Sequence, residues 1–187
     1  MINVAVFASG EGTNAENLFK YFANDSRIRI KLVITNKEEA GVVAKAHQYK
    51  KTVQIVSKEA LEKYSNQLVE FLRVEKIDLI VLAGFLLKMP LEFIKAFPNR
   101  IINIHPSLLP KYGGKGMYGK RVHEAVLANK ETKSGVTVHY VNEVYDEGEI
   151  ILQASCAVGE NETVESLIAK IRQLEFECLP KAIEKFL

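Results

Sequence analysis

Residues 2–24, INVAVFASGEGTNAENLFKYFAN, join three pieces: an apolar β-prone run (2–8), a glycine-bearing turn, SGEGTN (9–14), and a segment whose Leu18, Phe19, Tyr21 and Phe22 suit a helix lying on a sheet. The same alternation recurs downstream. IRIKLVIT (28–35), TVQIV (52–56), DLIVLA (78–83) and a run starting at Ile101 have strand character, while AGVVAKAHQY (40–49), EALEKYSNQLVEFLRV (59–74) and 91–96 have helical character. In the long segment 59–74, Leu61, Tyr64, Leu68, Phe71 and Leu72 are expected to face inward. Strands apolar on both faces and separated by helices predict an α/β fold. It should be a three-layer, Rossmann-like, mostly parallel twisted sheet with helices on both faces.

The pattern changes after residue 110. KYGGKGMYGKR (111–121) holds four glycines and four basic residues, which predicts a loop, and a helix is expected near 119–129. GVTVHYV (135–141) and EIILQASCAV (149–158), joined by NEVYDEG, predict an antiparallel portion near the C-terminal part. Leu167, Ile168, Ile171, Leu174, Cys178 and Leu179 then recur at helical spacing. A single domain over 1–187 is expected, with lobes over about 1–100 and about 101–187.

Composition narrows the function classes. The chain of 187 residues is 48% apolar, which excludes global disorder, and its formal charge of +2 is too balanced to demand a nucleic-acid partner. Cys156 and Cys178 stand far apart without a CxxC pair, so reduced, buried thiols are expected. The start MINVAVFASG lacks the basic residues and cleavage pattern of a signal peptide, and no apolar run reaches the roughly 18–20 residues of a membrane span. The expectation is a cytoplasmic protein with no membrane partner. No HxxxH, HExxH or CxxC grouping occurs, and no metal is expected.

Two stretches carry chemistry. In SGEGTN, Gly10 and Gly12 let consecutive N–H groups converge on an anion, and Thr13 with Glu16 fits a capping box. A phosphate held by Gly12, Thr13 and Asn14 at a helix N-terminus is one outcome, and a tight, well-capped turn is the other. In IINIHPSLLP (101–110), Asn103 and His105 lie two apart on a strand and point the same way, at the edge of an open sheet where ligands bind. Pro106 and Pro110 end the strand and fix the turn. An amide and a ring N–H side by side can stabilise an oxyanion. Asp146, in YDEG, is a solvated loop residue unless the fold sets it against His105, where it would favour the charged imidazole. His139 is expected to be structural, and His47 and His123 to lie at the surface. Arg172 and Glu175, three apart on the last helix, suit a solvated ion pair or contacts to a phosphorylated sugar.

With VFASGEGTN, LAGFLLKMP (82–90), INIHPSLLP (102–110) and SGVTVHYVNEVYDEGEIILQ (134–153) in view, nearly the whole chain resembles the phosphoribosylglycinamide formyltransferase family of folate-dependent enzymes. The resemblance implies transfer of the formyl group of 10-formyltetrahydrofolate to the amine of glycinamide ribonucleotide. It implies a phosphate-binding N-terminal lobe and a catalytic, folate-binding C-terminal lobe. Asn103, His105 and Asp146 match the family's catalytic amide, imidazole and carboxylate. Gly10, Gly12, Thr13, Asn14 and Pro106, with Arg172 and Glu175, match its substrate site. Leu86, Leu87, Lys88, Met89 and Ile101, with Val141, Asn142, Glu143, Val144 and Tyr145, match its folate site, and Thr137 falls where the family keeps a small hydroxyl residue. A monomer or weak homodimer is expected, acting on small molecules and not on nucleic acid.

The chain departs from the family in two segments. Leu87 and Lys88 stand where the family's GF segment carries an arginine, and an ammonium does not reproduce a bidentate guanidinium contact. The histidine-bearing loop of the family is replaced and lengthened as YGGKGMYGKR. Rival expectations are another formyl-folate transferase, a formyl-folate hydrolase, and a phosphate-binding module with no catalysis.

Overall fold

The computed structural model describes residues 1–187. Its seven-stranded sheet has the order β3-β2-β1-β4-β5-β6-β7. The elements are β1 (Ile2–Phe7), α1 (Thr13–Tyr21), β2 (Ile28–Thr35), α2 (Gly41–Gln48), β3 (Thr52–Ile55), α3 (Lys58–Lys63), α4 (Ser65–Val74), β4 (Leu79–Leu82), α5 (Leu91–Ala96) and β5 (Ile101–His105), followed by α6 (Lys120–Ala128), β6 (Lys133–Tyr140), β7 (Ile150–Ala157) and α7 (Val164–Glu184). Strands β1 to β5 pair in parallel, and β6 pairs antiparallel with β7. The fold is the expected α/β, Rossmann-like one, mostly parallel with an antiparallel C-terminal portion. No helix is long and apolar enough to cross a membrane.

Two compact units make up the chain, Met1–Asn103 with Leu187, and Ile104–Phe186. In the first, Val4, Ala5, Val6 and Phe7 of β1 and Leu79, Ile80 and Val81 of β4 are fully buried, so both faces of these central strands are covered. Phe7 meets Phe85 and Phe93 edge-on, at 5.2 and 6.3 Å between ring centroids. The strand order reverses direction at β1 and β4, which makes the carboxyl ends of these strands a switch-point crevice.

Four expectations need correction. The helix expected over 59–74 is two helices that break at Tyr64, whose φ of −115° and ψ of 28° leave the helical well. Its inward stripe is Leu61, Ser65, Val69 and Leu72, while Tyr64 is exposed under the Lys63 ammonium. Ser57 caps the first piece by accepting the Ala60 N–H at 3.1 Å. The Thr13–Glu16 capping box does not form. Gly12 is the N-cap, in a left-handed conformation (φ 68°) with no side-chain cap, and Glu16 turns instead to Lys20 at 2.7 Å and Lys45 at 3.5 Å. A capping box does form at Thr163 and Ser166, where α7 starts. Cys178 is buried as expected, but Cys156 is half-exposed on β7, and both thiols are free. His123, expected at the surface, is 4% exposed on α6, because it lies beside Val122 and one turn from Val126 on the helix's buried side.

Candidate functional site

The second unit gathers a buried polar cluster around β5, β6 and the connection between β6 and β7. Pro106 ends β5 directly after His105, and the turn that follows is pinned from the side. Ser107 donates its hydroxyl to the Lys111 carbonyl at 2.6 Å. Thr137, fully buried on β6, donates to the Ser107 carbonyl at 2.7 Å and accepts the Leu109 N–H at 3.1 Å. Gln153 on β7 then donates to both Thr137 Oγ1 (2.8 Å) and the Leu109 carbonyl (3.0 Å). One hydroxyl therefore serves three neighbours and holds the turn that carries His105.

The His105 ring is 4% exposed. Its Nε2 lies 2.7 Å from the Tyr112 carbonyl, which can only accept, so this nitrogen carries the proton. Its Nδ1 lies 3.6 Å from Asp146 Oδ2. The other carboxylate oxygen of Asp146 is 3.6 Å from Nε2 of His139, whose Nδ1 donates to the Tyr140 carbonyl at 2.8 Å. Two imidazoles thus flank one carboxylate, each anchored at its far nitrogen by a backbone carbonyl. The Gly114 N–H adds a 2.8 Å hydrogen bond to Asp146 Oδ2.

Backbone conformation places the carboxylate. Asp146 has a φ of 58°, a left-handed geometry that aspartate tolerates better than most residues. Its loop is closed by the Tyr140 N–H on the Glu149 carbonyl at 2.9 Å. Gly148 is required here, since a Cβ at that position would collide with the Tyr140 carbonyl oxygen and approach His139.

Burial is the largest influence on His105 and pushes its pKa below the ordinary 6.5, against the opposing pull of Asp146 and the Tyr112 carbonyl. For Asp146, burial is again the largest single influence and would raise the pKa. The hydrogen bond from His139, the His105 ring and the Gly114 N–H together outweigh it and hold the carboxyl below 3.8. His123, on α6, is also pushed below 6.5 by burial and by the His105 charge, and its Nδ1 is buried without a hydrogen-bond partner.

In the first unit, the SGEGTN turn lies at the crevice between β1 and β4. Ser9 is the hinge: its N–H donates to the Gly84 carbonyl at 3.0 Å, and its hydroxyl accepts the Leu86 N–H at 3.0 Å while donating to Asn36 at 2.6 Å. The turn and the segment Leu86–Met89 are therefore tied together. Gly10 is exposed, Gly12 and Asn14 are buried, and Thr13 is half-buried as the first residue of α1. Val42 closes one side, with its N–H on the Gly10 carbonyl at 3.1 Å.

The expected site residues are therefore distributed as follows. His105 and Asp146 are together, and Asn103 is half-buried two positions before His105 on β5. Leu86 and Lys88 are exposed, Leu87 is half-buried and Met89 is buried. Ile101 is 1% exposed at the opposite end of β5 from His105, paired in register with Ile80. Val141 is half-buried, and Asn142, Glu143, Val144 and Tyr145 are exposed on the loop that carries Asp146. Pro106 is half-buried, Arg172 is exposed and Glu175 half-buried on α7. No group of three His, Cys, Asp or Glu side chains is arranged to hold a metal ion.

His139, expected to be structural, is buried against Asp146, while the Tyr112 carbonyl and the Gly114 N–H are not foreseeable from residue types. Backbone groups leave no residue-type signal. The sequence signal at His139 is its place with Thr137 in the apolar run GVTVHYV (135–141), where polar side chains need partners.

The family model described as formyl transferase matches residues 2–183. A chloroplastic phosphoribosylglycinamide formyltransferase of Arabidopsis thaliana is 39% identical over 90% of this chain. The chain spans 59% of the length of that relative and of a second plant relative, from Vigna unguiculata. The phosphoribosylglycinamide formyltransferase of Haemophilus influenzae is 34% identical, covering 100% of this chain and 87% of its own length. Among solved structures, glycinamide ribonucleotide transformylase 1 from Symbiobacterium toebii superposes with a TM-score of 0.88 at 34% identity, over 98% of this chain and 86% of its own. A family match across 182 of 187 positions (183 − 2 + 1) establishes that this chain belongs to the formyl transferase family.

Proposed function

We propose that this chain is a phosphoribosylglycinamide formyltransferase, moving the formyl group from N10 of 10-formyltetrahydrofolate to the primary amine of glycinamide ribonucleotide. The observation that carries the reading is the pairing of a buried imidazole with a half-buried carboxylate at 3.6 Å in a family of formyl transferases. The reaction makes one C–N bond and breaks another. The amine attacks the formyl carbon, the carbonyl electrons move onto oxygen, and their return expels N10. One proton leaves the attacking nitrogen and one reaches N10, so no net proton is consumed.

Asn103 and His105 would donate hydrogen bonds to the oxygen as it becomes negative, His105 by releasing its Nε2–H from the Tyr112 carbonyl when substrate binds. Burial disfavours a charged His105 before substrate binds, whereas a nearby oxyanion favours it, so ring charge would build where it is needed. Asp146 would stabilise that charge and receive the amine proton for delivery to N10. The 3.6 Å separation is longer than a hydrogen bond and leaves room to tighten around a substrate. Holding both reactants together makes the attack effectively intramolecular.

In the first unit, the turn amides of Gly10, Gly12, Thr13 and Asn14 would take the ribonucleotide phosphate. In the second, Pro106, Arg172 and Glu175 are the proposed substrate contacts. The proposed folate contacts are Leu86, Leu87, Lys88, Met89 and Ile101 in the first unit and, separately, Val141–Tyr145 in the second. The chemistry requires no metal.

Spectrophotometric turnover of 10-formyltetrahydrofolate by the purified chain tests the reading. Deformylation that depends on glycinamide ribonucleotide is the expected result. Deformylation without it would indicate a hydrolase, and none under either condition would indicate a binding module.

A further inference from the structure

The last strand of the sheet, β7, has no neighbour on its outer side, and at eight residues it is twice as long as β3, the strand at the other edge. A long open edge is a template for another strand. The register with β6 shows which groups face outward. Val158 donates to the Thr132 carbonyl, so the alternation turns Cys156, Ala154 and Leu152 towards β6, and Ala157, Ser155 and Gln153 away from it. The pairing slips at Val138/His139, opposite Ile151.

Two lysines of the C-terminal segment reach this edge. Lys170 donates to the Ala157 carbonyl at 3.3 Å, and Lys185 donates to the Ile151 carbonyl at 2.7 Å. The spacing is a match of two lengths. Fifteen helical residues from Lys170 to Lys185 rise about 22 Å, and six strand residues from Ile151 to Ala157 span about 20 Å. Since Lys170 meets the end of β7 and Lys185 its start, α7 runs antiparallel to the strand and covers both ends.

Neither lysine is a loose surface side chain. Lys170 pairs with Glu162, whose side chain is only 5% exposed and which also accepts from Ser166 and from the Gly159 N–H at 3.2 Å. Those partners, Lys170 first, hold the Glu162 carboxyl down to about 2, so it keeps its charge well into acid. Beside Lys185, the Phe186 ring packs edge-on against Tyr140 of β6 at 6.1 Å, which anchors the end of the segment.

We propose that α7 acts as a guard on the β7 edge, its two lysines capping outward carbonyls at both ends so that a second copy of this chain cannot add β7 to β7. An incoming strand would have to displace two ammonium groups and bring its own lysines against them. The β7 edge is therefore a strand-addition surface held shut by Lys170 and Lys185 against the β7 of a second copy.

The test compares the double variant Lys170→Ala/Lys185→Ala with the parent and with a charge-matched control, Lys58→Ala/Lys95→Ala, by size-exclusion chromatography with light scattering over a hundredfold concentration range. Backbone amide exchange is read on all three proteins. The expected result is self-association of the Lys170/Lys185 variant at a concentration at least tenfold below that of parent and control, with slowed exchange at Gln153 and Ser155 in the associated form. The proposal is overturned if the variant keeps the parent's mass, or if it associates without protecting those two amides. It is also overturned if the unmodified parent already self-associates with both amides protected, a measurement that needs no variant to fold.

Discussion

Between Met1 and Asn103 the buried polar side chains are Ser9, Asn14, Thr35 and Ser65; between Ile104 and Phe186 they are Ser107, Ser134, Thr137 and three histidines. The first unit buries apolar strands and helices and only polar groups that do not titrate at working pH. The second buries imidazoles and brings two of them to the half-buried Asp146. Apolar burial is forgiving of detail and supplies most of the stability, whereas each buried polar group must keep its partner or incur a desolvation penalty. Substitutions in the apolar core of the first unit should therefore act on folding, and substitutions in the polar cluster of the second should separate folding from activity.

The largest effect is expected from Asp146→Asn. Asparagine tolerates the same left-handed backbone and keeps the shape, so the change removes charge and proton transfer. The expected loss is about 10²–10⁴-fold in kcat with little change in Tm. A loss below tenfold would remove Asp146 from the proposed chemistry and erase the functional half of the contrast. Phe93→Ala comes next, at about 3–5 kcal/mol of unfolding free energy, because the ring is 1% exposed and packs on Phe7. Denaturant unfolding should register that loss while kcat per folded molecule stays at the parental value; a matching fall in kcat would show the two units to be functionally inseparable.

Thr137→Val lies between the two classes. It removes the hydroxyl that serves Ser107, Leu109 and Gln153, and should cost about 1–3 kcal/mol in stability together with a measurable fall in kcat, since the same turn carries His105. A stability loss with kcat untouched would reassign Thr137 to folding alone.

The smallest effect is on stability against pH. His105 and His123 both have folded pKa values depressed below 6.5, so the unfolded chain binds more protons there. Their contribution is fully present above about 6.5 and is lost as the pH falls through the depressed values. Asp146, held below 3.8, adds a contribution that disappears only under more acidic conditions. Thermal unfolding should thus show Tm falling as the pH drops from 7.5 to 5, with a shallower fall in His123→Leu. A flat profile in the parent would contradict the burial of both rings.

The first unit was nearly transparent in its amino acids. Runs such as VAVF and LIVL have one stable environment, between two layers, and the glycine turn and β-α alternation fix their parallel order. The split at Tyr64 escaped because Leu68 and Phe71 offer a second apolar stripe almost as good as the one that Leu61, Ser65, Val69 and Leu72 bury. Asn103, at the end of the first unit, and His105 and Asp146 in the second stand out as candidates through their motifs, but their environment does not. The separation of His105 from Asp146 depends on a turn pinned by Thr137 and Gln153, and the partners on Tyr112 and Gly114 are main-chain atoms. His123 was misplaced because a helix's inward side is decided by what packs on it, and HEAV suits either orientation.

Gly12 carries an implication for anyone tracing this lineage. A Cβ there would stand 2.6 Å from the Val42 Cβ and 2.7 Å from its Cα, and the latter is main chain that trimming position 42 cannot remove. Inheritance of glycine at this site is accordingly compelled by steric exclusion, whether or not an anion ever visits the loop. Thr13, one step along and free of that constraint, is the position at which mutagenesis tests the proposed anion contact by itself.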